Sequence, residues 1–195
     1  MSRWIFVLIA ALLAAPVTAR AQNDGIPEPT IQDRNPGDDG GSSDEALDYN
    51  WRKQPVFFRN DYVPGTIVVM TTERHLYLVQ SSTRAIRYGI GVGRDGFRWS
   101  GIHKITAMRE WPDWTPPAQM LARRPDLPRH MKGGIDNPLG ARAMYLGSTL
   151  YRIHGSNEPE TIGTAVSSGC FRMTNEDVED LYKRVKIGTT VIIKN

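Results

Sequence analysis

Cysteine is almost missing from this 195-residue chain: it occurs once, at position 170. A single cysteine cannot close an internal disulfide, so the fold must depend on its hydrophobic core alone. Histidine is scarce as well, with only His75, His103, His130 and His154, and neither C-x-x-C nor H-E-x-x-H occurs. The spacings that build zinc sites are therefore lacking, and no metal or other cofactor is expected. Beyond residue 15 no apolar run approaches the roughly twenty residues that a membrane span requires. No stable membrane insertion of the mature chain is expected. No internal repeat is visible, which excludes solenoid architectures.

What the chain does contain is divided sharply along its length. Trp4 to Ala15 is an unbroken apolar run behind Met1-Ser2-Arg3, and Ala19-Arg20-Ala21 follows as an A-x-A-like end. Residues 1–21 read as a secretory signal peptide, so the mature protein is expected to be exported. Residues 22–55 read as a flexible tether rich in Asp, Gly, Pro and Ser. From Gln22 to Asn50 there are eight acids and one arginine, and such a segment buries too little apolar surface to order itself. Residues 56–195 remain as one domain large enough for a real core. From Trp51 onward, 21 basic residues face 13 acidic ones. Nucleic acid is the usual partner of such a charge, but an exported chain rarely meets any, so none is expected. Anionic cell-wall polymer and acidic peptides suit the charge better.

Within the domain most of the apolar runs are short and β-rich. Thr66–Met70 and His75–Val79 are β-rich runs around Thr71-Thr72-Glu73-Arg74, which predicts a hairpin, and Arg84–Ile90 extends it. Ile102–Met108 reads as another strand. Ala143–Leu146 and Thr149–Ile153 read as a pair around Gly147-Ser148 that delivers His154 at a strand end. From Glu110 to Asn137 the periodicity breaks, apart from a short helical stretch over Ala118–Arg123. An aromatic, Pro-rich loop of this length reads as a lid or binding loop. Thr174 is a good N-cap for a helix running to about Val185, with Glu176 and Asp177 in its first turn and Lys183, Arg184 and Lys186 near its end. Thr189–Ile193 closes the chain as a strand. The expected fold class is mainly β, a sandwich or partly closed sheet with a helix after the Cys170 loop and a long irregular lid.

Gly91-x-Gly93-x-x-Gly96 formally matches a dinucleotide-binding fingerprint. The strand-like Phe97-Arg98-Trp99 stands where that fingerprint requires a helix, so the reading is rejected. The glycines fit a tight turn beside a groove instead.

The chemistry converges on His154 to Met173, H-G-S-N-E-P-E-T-I-G-T-A-V-S-S-G-C-F-R-M. A thiol attacks as thiolate, and an imidazole is the usual means of deprotonating it. The spacing lets a loop fold back and bring His154 to Cys170. Gly169 permits close backbone approach, and the amides around Cys170 can face a developing oxyanion. A helix starting soon after Cys170 would favour thiolate. Arg172, two residues on, can hold a planar anion bidentately or support the loop.

The H-G pair followed by S-x-G-C-x-R-[LM] resembles the catalytic domain of the L,D-transpeptidases, the YkuD-like family. The resemblance extends from about Val63 to the end and includes Asn137-Pro138-Leu139-Gly140-Ala141-Arg142. Two positions depart from the common pattern: Ser168, where many members have His, and Arg98-Trp99-Ser100-Gly101, where many have Thr-Pro-x-Gly. The resemblance implies Cys170 as nucleophile, His154 as general base and then acid, and the carbonyl of Gly155 as the group that orients the imidazole. It also implies that Arg172, Ser167, Ser168, Gly169, Trp99 and Arg142 lie at the substrate. The implied reaction is acyl transfer on peptidoglycan. Cys170 attacks the third residue of a donor tetrapeptide stem, expels the terminal D-alanine and passes the acyl group to an amine. The acceptor is a second stem peptide or an outer-membrane or wall-anchored protein.

Three rivals are weaker. A papain-like protease places Cys before His, the reverse of this order. A sortase-like enzyme has His first, but with a much longer gap. A non-catalytic wall-binding module would have no need to keep both residues.

Overall fold

The computed structural model describes residues 47–195; the expected signal peptide and all of the expected tether up to residue 46 lie outside them. Eleven short strands form one nine-stranded mixed sheet and one two-stranded sheet among the described residues.

The hairpin forms as the two β-rich runs predict. β2 (Ile67–Met70) and β3 (His75–Ser81) pair antiparallel, and β4 (Arg84–Gly89) joins β3. Alternation sends Ile67, Val69, Leu76 and Leu78 into the main core, while Val68, Tyr77 and Val79 form a smaller cluster on the other face. That second face is covered by β1 (Gln54–Phe57), paired antiparallel with β4, and by Phe58 and Tyr62 just after it.

The ten-residue β6 (Gly101–Glu110) turns the sheet. Its first residues pair with β11 (Thr190–Lys194), which runs parallel to β2. From Ile105 onward it pairs with β7 (Arg142–Leu146), after a register shift between Ile105 and Ala107. β7 carries β8 (Arg152–His154), and β8 carries β10 (Phe171–Arg172) at the sheet edge. β5 (Val92–Gly93) and β9 (Ala165–Ser167) form the two-stranded sheet. The two halves share one core, in which Ile67, Tyr88, Ile105, Met144, Ile153 and Phe171 are almost fully buried. The sheet order begins at β1 and ends at β10, which do not pair with each other, so no closed barrel forms.

Among the described residues two α-helices stand on this frame: α1 (Ala118–Arg123) in the irregular segment and α2 (Asn175–Arg184) after the cysteine. α2 begins as its sequence requires, with the Thr174 hydroxyl accepting from the Asp177 N–H at 3.1 Å. Val178, Leu181, Tyr182 and Val185 bring one apolar stripe to the core. Tyr88 donates to Asp180 at 2.7 Å and so ties α2 back to β4. In the irregular segment, the buried Asn137 amide donates to the carbonyls of Pro112 and Lys132 and accepts from the Leu139 N–H.

Packing starts earlier than residue 56, where composition placed the end of the tether. Residues 49–51 make a 3-10 turn and β1 begins at Gln54. Trp51 is the reason: its indole lies against Gly163, its backbone lies against Gly89, and its ring packs on His75 at 5.1 Å. Any side chain at Gly163 would collide with the indole. Trp51→Ala is accordingly expected to lower unfolding free energy by about 2–4 kcal/mol, read from urea titration. An unchanged midpoint would show that this indole contributes little.

Candidate active site

The paired strands β8 and β10 assemble the site. They run parallel, with Ile153 beside Phe171 and His154 beside Arg172. Ile153 and Phe171 point into the core. Alternation therefore puts His154 and Arg172, and the flanking residues Arg152 and Cys170, on the other face. The Met173 N–H donates to the His154 carbonyl at 2.8 Å, closing the ladder. On its far side β10 is held by a pair of 2.9 Å backbone hydrogen bonds between Arg172 and Gly91. This fold-back is the one the sequence spacing permits.

The loop before Cys170 is braced from within and from below. Ser167 is buried; its hydroxyl donates to the Cys170 carbonyl at 2.6 Å and accepts from the Gly169 N–H at 3.1 Å. Gly169 has φ +108, and any β-carbon there would run into the Tyr151 ring. The Trp99 indole N–H donates to the Gly169 carbonyl at 2.8 Å, and its ring stacks on Tyr151 at 4.4 Å. Gly93 presses on the same loop, since a β-carbon there would stand 3.2 Å from the Gly169 Cα. Ser167, Gly169 and Trp99 thus shape the loop that carries the thiol. Ser168, between them, is partly exposed.

His154 is buried, and its Nδ1 lies 2.6 Å from the Gly155 carbonyl oxygen. A carbonyl can only accept, so Nδ1 carries the proton and Nε2 is left with its lone pair. Gly155 is itself fixed by its N–H, which donates to the Arg142 carbonyl at 3.0 Å. Burial, assisted by the charge of Arg172, lowers the His154 pKa to about 3. The Cys170 thiol, half-buried and directed at the Leu150 carbonyl at 4.0 Å, is pushed up by burial, against the opposing charges of Arg152 and Arg172. Both groups are neutral at rest. A helix N-terminus favours thiolate, but β10 precedes α2 in the chain and burial is the largest influence on the Cys170 thiol, in the opposite direction.

A depressed pKa means that the unfolded chain binds the proton more readily than the native one. His154 thus contributes stability that is full above about pH 6.5 and is lost as pH falls toward about 3. The expected loss over that window is on the order of 3–5 kcal/mol, measured by urea titration at each pH. His154→Gln, which cannot charge, is expected to flatten the curve. An equally steep curve in that variant would assign the loss to other groups.

The two arginines expected at the substrate are held by protein carboxylates. Arg172 donates to Glu158 at 2.8 Å and reaches the Thr161 hydroxyl at 3.4 Å. Arg142 lies between Glu110 and Glu179, each at 3.5 Å, with its guanidinium over Tyr182. Glu158, Tyr151 and Arg152, which the structure brings to these candidate residues, are the ones that sequence reasoning missed. Only Glu158, in the same H-to-C segment, carried a signal: an acid placed to balance Arg172.

Residues 64–193 match the family model of the L,D-transpeptidase catalytic domain, YkuD. The chain belongs to this family. YbiS of Escherichia coli K12, named a probable L,D-transpeptidase, is 38% identical over 140 residues, which cover 67% of this chain and 45% of that protein. A Bacillus licheniformis protein bearing the name YkuD is 33% identical over 161 residues, covering 82% of this chain and 81% of its own length. The chain spans about half the length of the Escherichia coli relatives it matches. Among solved structures, an L,D-transpeptidase from Mycobacterium smegmatis shares the fold, with TM-score 0.54 and 14% identity over 67% of this chain and 58% of that one. A Brucella melitensis structure described as a probable carnitine operon oxidoreductase is 48% identical, with TM-score 0.51, covering 76% of this chain and 97% of that one. In the present YkuD-family chain, the glycines that nominally resemble a dinucleotide site, Gly91 to Gly96, lead into β6 and not into a helix.

Proposed function

We propose that this protein is an exported cysteine transpeptidase acting on peptidoglycan stem peptides in the periplasm. Cys170 is the nucleophile, His154 the general base and then acid, and the Gly155 carbonyl the group that orients the imidazole. The observation that carries this reading is the β8–β10 register, which sets His154 and Cys170 on one face, with the imidazole tautomer fixed so that Nε2 is free.

Nε2 of His154 takes the proton from Cys170 as sulfur bonds to the carbonyl carbon of the third stem residue. The carbonyl oxygen becomes an oxyanion, which backbone N–H groups of the Cys170 loop stabilise. Collapse breaks the bond to the terminal D-alanine, whose nitrogen leaves with the proton held by His154. The product is a thioester on Cys170. An acceptor amine then attacks, His154 takes its proton, and the thiol is released with that proton. Two neutral partners suit this cycle, since a strongly basic imidazole would keep the proton that the leaving amine needs. The acceptor is a second stem peptide, or the amine of an outer-membrane or wall-anchored protein.

The test is intact-protein mass spectrometry after mixing with a disaccharide tetrapeptide. The expected adduct is the donor mass less D-alanine, on a peptide containing Cys170. Turnover of the donor with no such adduct under quenched conditions, and none on Cys170 after digestion, would overturn the assignment.

A further inference from the structure

Arg152 has no role in the mechanism above, yet it lies beside its nucleophile. Continuing the β8–β10 register back one step from Ile153 and Phe171 brings Arg152 next to Cys170. The two arginines on this face are partnered differently. Arg172 is matched by Glu158 at 2.8 Å, whereas Arg152 makes no ion pair with any carboxylate among the described residues. The Arg152 Nε–H is buried without an acceptor. Its terminal nitrogen donates to the Leu150 carbonyl at 3.2 Å, the same carbonyl that faces the Cys170 sulfur at 4.0 Å, and its side chain also hydrogen-bonds the Cys170 sulfur. Its guanidinium otherwise lies over the Tyr145 ring at 5.4 Å. An unsatisfied charged donor in such a place is costly unless an anion arrives during the work of the site.

We propose that Arg152 is the counter-ion of the Cys170 thiolate, a catalytic residue that engages the sulfur as its proton leaves. The proton passes from Sγ to Nε2 of His154, and the guanidinium holds the negative sulfur until the bond to the acyl carbon forms. The direction of each electrostatic influence agrees. Among the groups that oppose desolvation of Cys170, Arg152 is the strongest, ahead of Arg172. At His154 the order reverses, with Arg172 the stronger and Arg152 the weakest of the named influences. Arg152 is thus the leading charge at the sulfur and the last of the named influences at the imidazole, the order expected of a counter-ion to the thiolate.

The proposal rests on Cys170 being the nucleophile, but its test does not require any transfer reaction. Alkylation of the lone thiol by iodoacetamide is followed by intact mass between about pH 5 and pH 10, for wild type, Arg152→Met and Arg152→Lys. Arg152→Met is expected to react about tenfold more slowly at pH 7, with its profile displaced upward by about one pH unit. Arg152→Lys is expected to recover most of the rate, because it restores the charge. Coincident profiles for all three proteins would overturn the proposal. Should Arg152→Met not fold, the wild type alone still decides, through its rate with anionic iodoacetate relative to neutral iodoacetamide. A ratio several times that of free cysteine is expected, and a ratio no higher than that of free cysteine overturns the proposal. If wild type fails to transfer acyl groups while the alkylation shift appears, the functional reading falls and the counter-ion role stands.

Discussion

Cys170→Ala is expected to remove acyl transfer altogether, a loss of roughly ten-thousandfold or more, while moving the melting temperature by only a few degrees. The size of the effect follows from chemistry: no other thiol exists in the chain to substitute. The small structural cost follows from position. Cys170 is half-buried at a loop end, its sulfur faces the Leu150 carbonyl at 4.0 Å, and the loop is braced by Ser167, Gly169 and Trp99 instead. Muropeptide products separated by chromatography give the first quantity and thermal denaturation the second. Transfer above about one per cent of wild type in the purified variant would exclude a covalent role for this residue. Coupled loss of both quantities would instead mark Cys170 as part of the core.

Local patterns carried the fold a long way, and they stop where distant segments meet. The β-rich composition of Ile67–Met70 and His75–Val79 is a local property, so β2, β3 and their hairpin could be read directly. The Thr174 cap, the acids Glu176 and Asp177 in the first turn and the bases near the end made α2 equally visible. Trp51 was not, because an aromatic residue at the end of an acidic, Gly-rich segment has no local reason to be ordered. Its partners, Gly89, Gly163 and His75, come from three remote stretches. The site divides in the same way. His154, Gly155 and Cys170 share one segment whose spacing signals a fold-back, and the β8–β10 ladder provides it. The protonation state was not legible, since it depends on desolvation by a core that the local sequence does not describe. Arg142 and Arg172 looked free for a substrate because their carboxylates, Glu110, Glu179 and Glu158, approach through the tertiary fold.

Gly155→Ala is expected to damage activity and stability together, and Asn175→Ala to relieve part of that damage. A β-carbon at Gly155 would collide with Oδ1 of Asn175 and stand 3.0 Å from the Ala141 nitrogen and 3.2 Å from Cγ1 of Val178. Asn175 cannot simply turn away, because the same oxygen accepts from the Ala141 N–H at 2.8 Å. The strain is expected to cost about 1–3 kcal/mol, as overpacked sites do. It is also transmitted to the reaction, since the Gly155 carbonyl holds Nδ1 of His154. A small rotation of that carbonyl turns the imidazole, and a misplacement of about 1 Å at a reacting group costs on the order of a hundredfold in rate. Asn175→Ala alone removes the side-chain acceptor of the Ala141 N–H, about 1–2 kcal/mol. It also opens the space that the added methyl needs. The double variant is therefore expected to be more stable than the sum of the single losses predicts, by about 1 kcal/mol, and to regain part of the rate. Strict additivity in both quantities would mean that Asn175 is not the group against which Gly155 is fitted, and that the glycine is required for some other contact of this turn.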